Sequence, residues 1–341
     1  MRHLLTSVAS LSIVLSFASS ALAFDRAKLF EAYSSIVMVR GYNAKGGLAY
    51  GSGVVVANNK VITNCHVLRT TKEPWISRGE TTYAITTVQA DRWHDLCLVT
   101  TDQIPFKPAL IGKSSDLKRG QEVVSIGNSN GAPAPLVSSG SVKSLYEADA
   151  GKIIRTSAKF EMGASGSGLF DMDGHLVGIN TFKTAGRSSA FFFSLPIEWL
   201  SILEKQPIET KLPIEGKALW EEEENQKPFY MQAAVPEARE DWPKLAEVAA
   251  KWIEKEPKSP DAWFELGIAD ENLSKKDDAE KAYRHAVDLD SSYADALVRI
   301  GIIAKEKGDA AEMHRINLKL AEIDPDIASQ YSDLLGCGAQ C

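Results

Sequence analysis

Gly51-Ser52-Gly53-Val54-Val55-Val56-Ala57-Asn58-Asn59-Lys60-Val61-Ile62-Thr63-Asn64-Cys65-His66-Val67 is the stretch from which the fold can be read. Two short β-branched runs, Gly53–Val56 and Lys60–Thr63, flank Asn58-Asn59, a pair that accepts the positive φ of a tight hairpin turn. Further runs of the same kind follow at Leu96–Val99, Glu122–Ile126, Leu176–Ile179 and Ala190–Leu195, separated by Gly, Asn, Asp and Ser. Many short strands at such spacing predict a sandwich or barrel from about Ser35 to Leu200, after a short helix over Phe24 to Tyr33.

The chain has 341 residues, enough for two domains and a linker. Lys and Arg number 21 against 16 Asp and Glu up to Lys205, but 17 against 29 from Gln206 onward. That shift predicts two separately built units, and the net charge of -7 argues against nucleic acid as the main partner. Residues 1–23 read as a secretory signal. Arg2 and His3 open it, Leu4 to Phe17 is apolar, and Ala21-Leu22-Ala23 offers a cleavage site. The apolar run is shorter than the roughly 20 residues that span a bilayer, so no membrane span is expected after its removal. An exported chain places Cys65, Cys97, Cys337 and Cys341 where disulfides persist, with three pairings open.

Residues 206–239 read as linker, with four prolines and the acidic run Glu221–Glu224, although Trp220, Phe229 and Tyr230 predict that part of it packs on a domain. Residues 240–336 change to a helical period. Asp261-Ala262-Trp263-Phe264-Glu265-Leu266-Gly267 recurs 34 residues later as Asp295-Ala296-Leu297-Val298-Arg299-Ile300-Gly301. The spacing predicts paired helices such as Asp261–Leu273 and Asp277–Leu289, with a leading helix over Trp242–Lys255 and a trailing one over Ile327–Leu335. The period and Trp263-x-x-Leu266-Gly267 resemble the tetratricopeptide repeat. Residues 337–341 form a Cys-containing tail.

Hydrolysis by a serine needs an exposed hydroxyl, an imidazole to take its proton, a carboxylate to orient the imidazole, and N–H groups aimed at the oxyanion. Ser165 sits in Gly163-Ala164-Ser165-Gly166-Ser167-Gly168-Leu169-Phe170, where glycines permit a sharp turn, with Gly163 and Ser165 as the N–H donors. His66 follows a strand. Asp95 heads the apolar strand Asp95-Leu96-Cys97-Leu98-Val99, where a carboxylate is costly to bury unpaired. Asp91 is the rival carboxylate.

GSGVVV, VITNCHV, DLCLV, GASGSGLF, GHLVGINT (Gly174–Thr181) and FSLP (Phe193–Pro196), in that order, resemble the trypsin-like proteases of the high-temperature-requirement (Do-like) branch. The resemblance implies two six-stranded antiparallel barrels with the site between them. It assigns His66 as general base, Asp95 as its orienting partner, Ser165 as nucleophile and Gly163 to the oxyanion hole. The sequence departs from that pattern at Ala164, where Asn or Asp is usual, and at Ser167, where Gly is usual. The branch's regulatory peptide-binding domain is replaced by the helical repeats.

If His66 and Asp95 touch, Cys65 and Cys97 lie near each other and can pair; Cys337 and Cys341 can close a small loop. Lys159, Phe160 and Met162, with Asn180, Thr181 and Phe182, are expected to line an apolar substrate pocket, and Lys159 disfavours basic side chains there. The expected function is a serine endopeptidase acting on protein substrates, with the repeats recruiting a substrate or partner. The alternative is an inactive protease-like scaffold. No cofactor is expected, and the six histidines are not spaced as metal ligands.

Overall fold

The computed structural model describes residues 26–69, 71–185 and 190–338; the signal expected over 1–23 and Cys341 lie outside them. After α1 (Arg26–Ser34), the chain forms β1 (Ile36–Tyr42), β2 (Leu48–Ala57), β3 (Lys60–Asn64), α2 (Cys65–Arg69), β4 (Lys72–Arg78), β5 (Thr81–Asp91) and β6 (Leu96–Thr101). These strands run in the order β5-β4-β1-β2-β3-β6, and β5 pairs with β6 to close a six-stranded barrel. The Asn58-Asn59 turn joins β2 to β3, with Asn59 at φ +60°. Val37, Val39, Val55, Val61, Val88, Val99 and Ile76 fill the interior, as the alternation of β-branched residues requires.

The second half repeats the plan. It contains β7 (Leu110–Ile111), β8 (Glu122–Gly127), β9 (Leu136–Ala148), β10 (Gly151–Thr156), β11 (Gly168–Asp171), β12 (His175–Ala185) and β13 (Ala190–Pro196). The order β11-β8-β9-β10-β13-β12, with β11 paired to β12, closes another six-stranded barrel, to which β7 adds in parallel. The fold is thus a chymotrypsin-like double barrel followed by a helical region.

Residues 206–239 are not free chain. After α3 (Leu200–Leu203), β14 (Ile208–Glu209) pairs with β5 of the first barrel. α4 (Phe229–Arg239) then buries Tyr230, Met231, Ala233 and Ala234. α5 (Trp242–Lys255), α6 (Pro260–Asn272), α7 (Lys276–Leu289), α8 (Ala294–Lys307), α9 (Ala310–Ile323) and α10 (Pro325–Leu335) complete the chain. α6 and α8 start 34 residues apart, as do α7 and α9. Ser259, Asp309 and Asp324 cap helix N-termini with side-chain oxygens.

The helices dock on the second barrel. Tyr146 of β9 stacks on Tyr230 at 4.3 Å, and Trp252 lies 6.3 Å from it. Arg155 of β10 donates to Glu265 at 3.1 Å and to both oxygens of Glu237 at 3.0 and 3.2 Å. Arg119 donates to both oxygens of Asp261 at 3.3 Å and lies 3.7 Å from the Tyr293 ring centre. No helix among the described residues is long and apolar enough to cross a membrane.

Candidate active site

The β2–β3 hairpin delivers His66 to the start of α2. The His66 N–H donates to Asp95 Oδ1 at 2.6 Å, and Nδ1 lies 2.5 Å from Asp95 Oδ2. Asp95 is fully buried and occupies the left-handed region, at φ +57°, in the turn between β5 and β6. This conformation is uncommon outside glycine but is tolerated by Asp. Its carbonyl accepts from Cys65 N–H (3.0 Å) and Asn64 Nδ2 (3.1 Å), so the backbone that carries the base also holds the carboxylate. Burial pushes the Asp95 carboxyl above its ordinary value, opposed by His66 and by Arg69. Asp91, the rival carboxylate, is taken by His94, whose Nδ1 is 2.7 Å away.

Cys65 and Cys97 are joined in a disulfide between the base and the strand that follows Asp95. Cys337 is disulfide-bonded as well.

Ser165 is held against the first barrel. Its carbonyl accepts from Ser52 N–H at 2.8 Å. A Cβ at Gly51 would lie 2.6 Å from Val67, beside His66, and 3.1 Å from the Ser165 carbonyl, so only glycine lets the two elements approach. The loop around Ser165 satisfies its N–H groups selectively. Ala164 donates to Glu161, Gly166 to Asn180 and Ser167 to Ala164. Gly163 and Ser165 N–H donate to no acceptor among the described residues. The Met162 carbonyl accepts from Asn130 N–H at 2.6 Å. Because the peptide is trans, the Gly163 N–H points the other way. Gly163 stands at φ +94°, a backbone region open chiefly to glycine, and its carbonyl accepts from Ser52 Oγ at 2.8 Å.

Ala164 and Ser167, the two departures from the usual pattern, are both buried. Ala164 packs with Phe160 and Phe192, and Ser167 Oγ accepts from Asn180 Nδ2 at 2.9 Å. Asn180 is fully buried; its Nδ2 also donates to Ser125, and its Oδ1 accepts from Ser194. Thr181 Oγ1 accepts from Asn64 Nδ2. The side chains of Asn180 and Thr181 therefore bond within the barrel interior, where they brace the loop and the hairpin. Phe160 is buried edge-on to Phe192 (5.1 Å), while Lys159 and Met162 are exposed. Phe182 stacks on Phe193 at 4.7 Å and meets Trp220 at 5.3 Å.

Trp220 also lies 6.2 Å from the His66 ring, edge to face. The aromatic residues at 220, 229 and 230 pointed to packing, but no local pattern places Trp220 beside a histidine 154 positions earlier. A separate cleft of about 2180 Å³ opens between the second barrel and the helices, lined in part by Arg119, Lys143, Tyr146, Trp252, Asp295 and Ile327. Among the described residues no cluster of His, Cys, Asp and Glu could hold a metal ion.

The trypsin-like peptidase domain family matches residues 51–179. The chain is 33% identical over 161 residues to Protease Do-like 1, chloroplastic, of Arabidopsis thaliana, covering 43% of this chain and 37% of that protein. It is 29% identical over 179 residues to a probable periplasmic DegP-like serine endoprotease of Rickettsia prowazekii, covering 49% and 34%. The Rv3671c protease of M. tuberculosis, in its active form, is similar with a TM-score of 0.49 at 20% identity, over 63% of this chain and 99% of that one. The chain spans little more than a third of the length of these curated relatives. Residues 51–179 thus match a trypsin-like peptidase domain, and HtrA/Do-like serine proteases are among the relatives of this part of the chain.

Proposed function

We propose that the chain is an exported serine endopeptidase that cuts protein substrates through Ser165, His66 and Asp95. The Nδ1–H of His66 is directed at Asp95, which leaves Nε2 to take the Ser165 proton as Oγ attacks the scissile carbonyl. His66 then returns the proton to the leaving amine, and a water repeats the cycle on the acyl-enzyme. The oxyanion is received by the Gly163 and Ser165 N–H groups. The observation that carries this reading is that these two N–H groups have no acceptor among the described residues while those of Ala164, Gly166 and Ser167 beside them are bonded. Such donors cost no reorganisation when charge develops. Phe160 and Phe182 supply apolar walls for the pocket, and the Cys65–Cys97 disulfide fits an oxidising compartment outside the cytoplasm.

In this reading the helices are tetratricopeptide-like repeats that recruit a substrate or partner through the cleft beside the second barrel. Reversing two exposed charges there, Glu322→Lys with Asp326→Lys, is expected to raise KM for a protein substrate several-fold and to leave turnover of a short peptide unchanged. Equal effects on both substrates would remove the recruiting role. The catalytic reading is tested by a fluorophosphonate probe. Ser165 is expected to label in the wild type and to be silent in Ser165→Ala and His66→Ala. A wild type that never labels refutes it in favour of a scaffold.

A further inference from the structure

Residues 208–221 form a strap across the first barrel. It begins at β14 on β5. Arg92 Nη2 donates to both Glu209 oxygens at 2.7 and 2.8 Å, and Arg92 Nε donates to the Glu215 carbonyl at 2.7 Å. Ile214 is buried in the barrel core, and the Leu219 N–H donates to the Trp93 carbonyl at 2.9 Å. The strap ends beside His66. There Arg69 Nη1 donates to the Gly216 carbonyl and to Glu221 Oε2, both at 2.6 Å. Ala218 N–H donates to the same carboxylate oxygen at 2.7 Å. Arg69 Nη2 lies 4.0 Å from Asp95 Oδ1.

This arrangement answers a physical requirement of the site. Asp95 is wholly buried, and an uncompensated carboxylate there would take up a proton and cease to be a pure acceptor for His66. While His66 is neutral it supplies no charge. Arg69 is the cation within reach, but its long side chain would gain entropy by turning to water. Glu221 and the Gly216 carbonyl hold it in place.

We propose that Arg69, anchored by Gly216 and Glu221 of the strap, is a positioning residue for the Asp95–His66 pair, keeping Asp95 ionised and the His66 ring turned toward it. The role rests on the serine-protease reading. It places part of the catalytic apparatus outside residues 51–179, on the segment that leads to the helices. The other charged groups around the pair are Glu221, and Asp91, Arg92 and His94 on the preceding turn. Asp91 is engaged by His94 and Arg92 by Glu209.

The test follows the pH dependence of Ser165 labelling by a fluorophosphonate in the full chain. Loss of the cation makes the pair easier to protonate. Arg69→Gln is therefore expected to move the acid limb up by about 0.5–1 pH unit and to slow labelling near neutrality about tenfold. Arg69→Lys, which keeps the charge, is expected to recover most of both. Glu221→Ala, which frees Arg69 without removing it, is expected to slow labelling about three- to tenfold at neutral pH, and serves if Arg69→Gln folds poorly. An Arg69→Gln profile that superimposes on the wild type, or an unchanged rate in Glu221→Ala, overturns the positioning role alone. A wild type that never labels overturns the protease reading and this role with it.

Discussion

Arg155→Met is the sharpest probe of how the helices and the barrel are joined. Arg155 rises from β10 with only 13% of its side chain exposed and meets Glu237 at 14% and Glu265 at 4%. Its guanidinium also covers the Phe191 ring at 3.8 Å. Removing it leaves Glu237 and Glu265 buried without their cation, and breaking such a pair from one side costs about 3–5 kcal/mol. For a unit of this size that is a fall in Tm of about 5–8 °C. Replacing all three charges, as Arg155→Met with Glu237→Met and Glu265→Met, is expected to return most of the loss, because no charge is then left buried. The pH dependence has a definite sign. Burial and the neighbouring Glu237 raise the Glu265 carboxyl well above its ordinary value of 4.5. A group whose pKa is higher folded than unfolded stabilises the docked form below about pH 4.5 and loses that contribution as pH rises through the folded value. Glu265→Gln is expected to flatten this dependence. Thermal scans across pH, with Trp252 fluorescence reporting undocking, give the answer. A single variant within 1–2 °C of wild type, or a triple variant no better than the single, refutes the reasoning.

The Cys65–Cys97 bridge closes 32 residues, so Cys65→Ser with Cys97→Ser is expected to cost about 3–4 kcal/mol in urea unfolding; an unchanged midpoint would contradict this. Ser167→Gly restores the usual pattern but removes the acceptor for Asn180, and is expected to cost about 1 kcal/mol while leaving labelling of Ser165 within about twofold. Trp220→Ala opens the wall beside His66 and Phe182, and a peptide library should then show bulkier side chains accepted near the cut; an unaltered profile would place substrate elsewhere.

What the sequence yields and what it withholds divide along range. Strands such as Lys60–Asn64 and helices such as Trp242–Lys255 are written locally, in β-branched alternation and in helical period. α4 is not, because Pro236 within it reads as a breaker. Burial of Tyr230, Met231, Ala233 and Ala234 overrides that preference. Asn180 and Thr181 are expected from the sequence to line a pocket, and the partners their side chains find, Ser167 and Asn64, are ones no local pattern names. The strap is hidden for the same reason: Arg69 and Glu221 are 152 residues apart.

The uneven charge of the chain acquires a structural meaning at this interface. The acidic surplus beyond residue 206 is partly directed at the barrel: Glu237 and Glu265 meet Arg155, Asp261 and Asp290 meet Arg119, and Asp295 meets Lys143. The Lys143–Asp295 pair is exposed, but the pairs of Arg155 and the Arg119–Asp261 pair are mostly buried; such pairs gain little over an apolar contact of the same size and penalise every misaligned docking by stranding a charge. The arrangement therefore favours one orientation of the helices. A fixed orientation is what the strap requires, because α4 begins eight residues after Glu221. If the helices tilted, Trp220 and Glu221 would be drawn from His66 and Arg69. It follows that Arg155→Met should slow Ser165 labelling as well as lower Tm, although Arg155 points at Glu237 and Glu265 of the helices. Slowed labelling in Arg155→Met that is not slowed further by adding Glu221→Ala would tie the two effects to one path; additive effects would separate them.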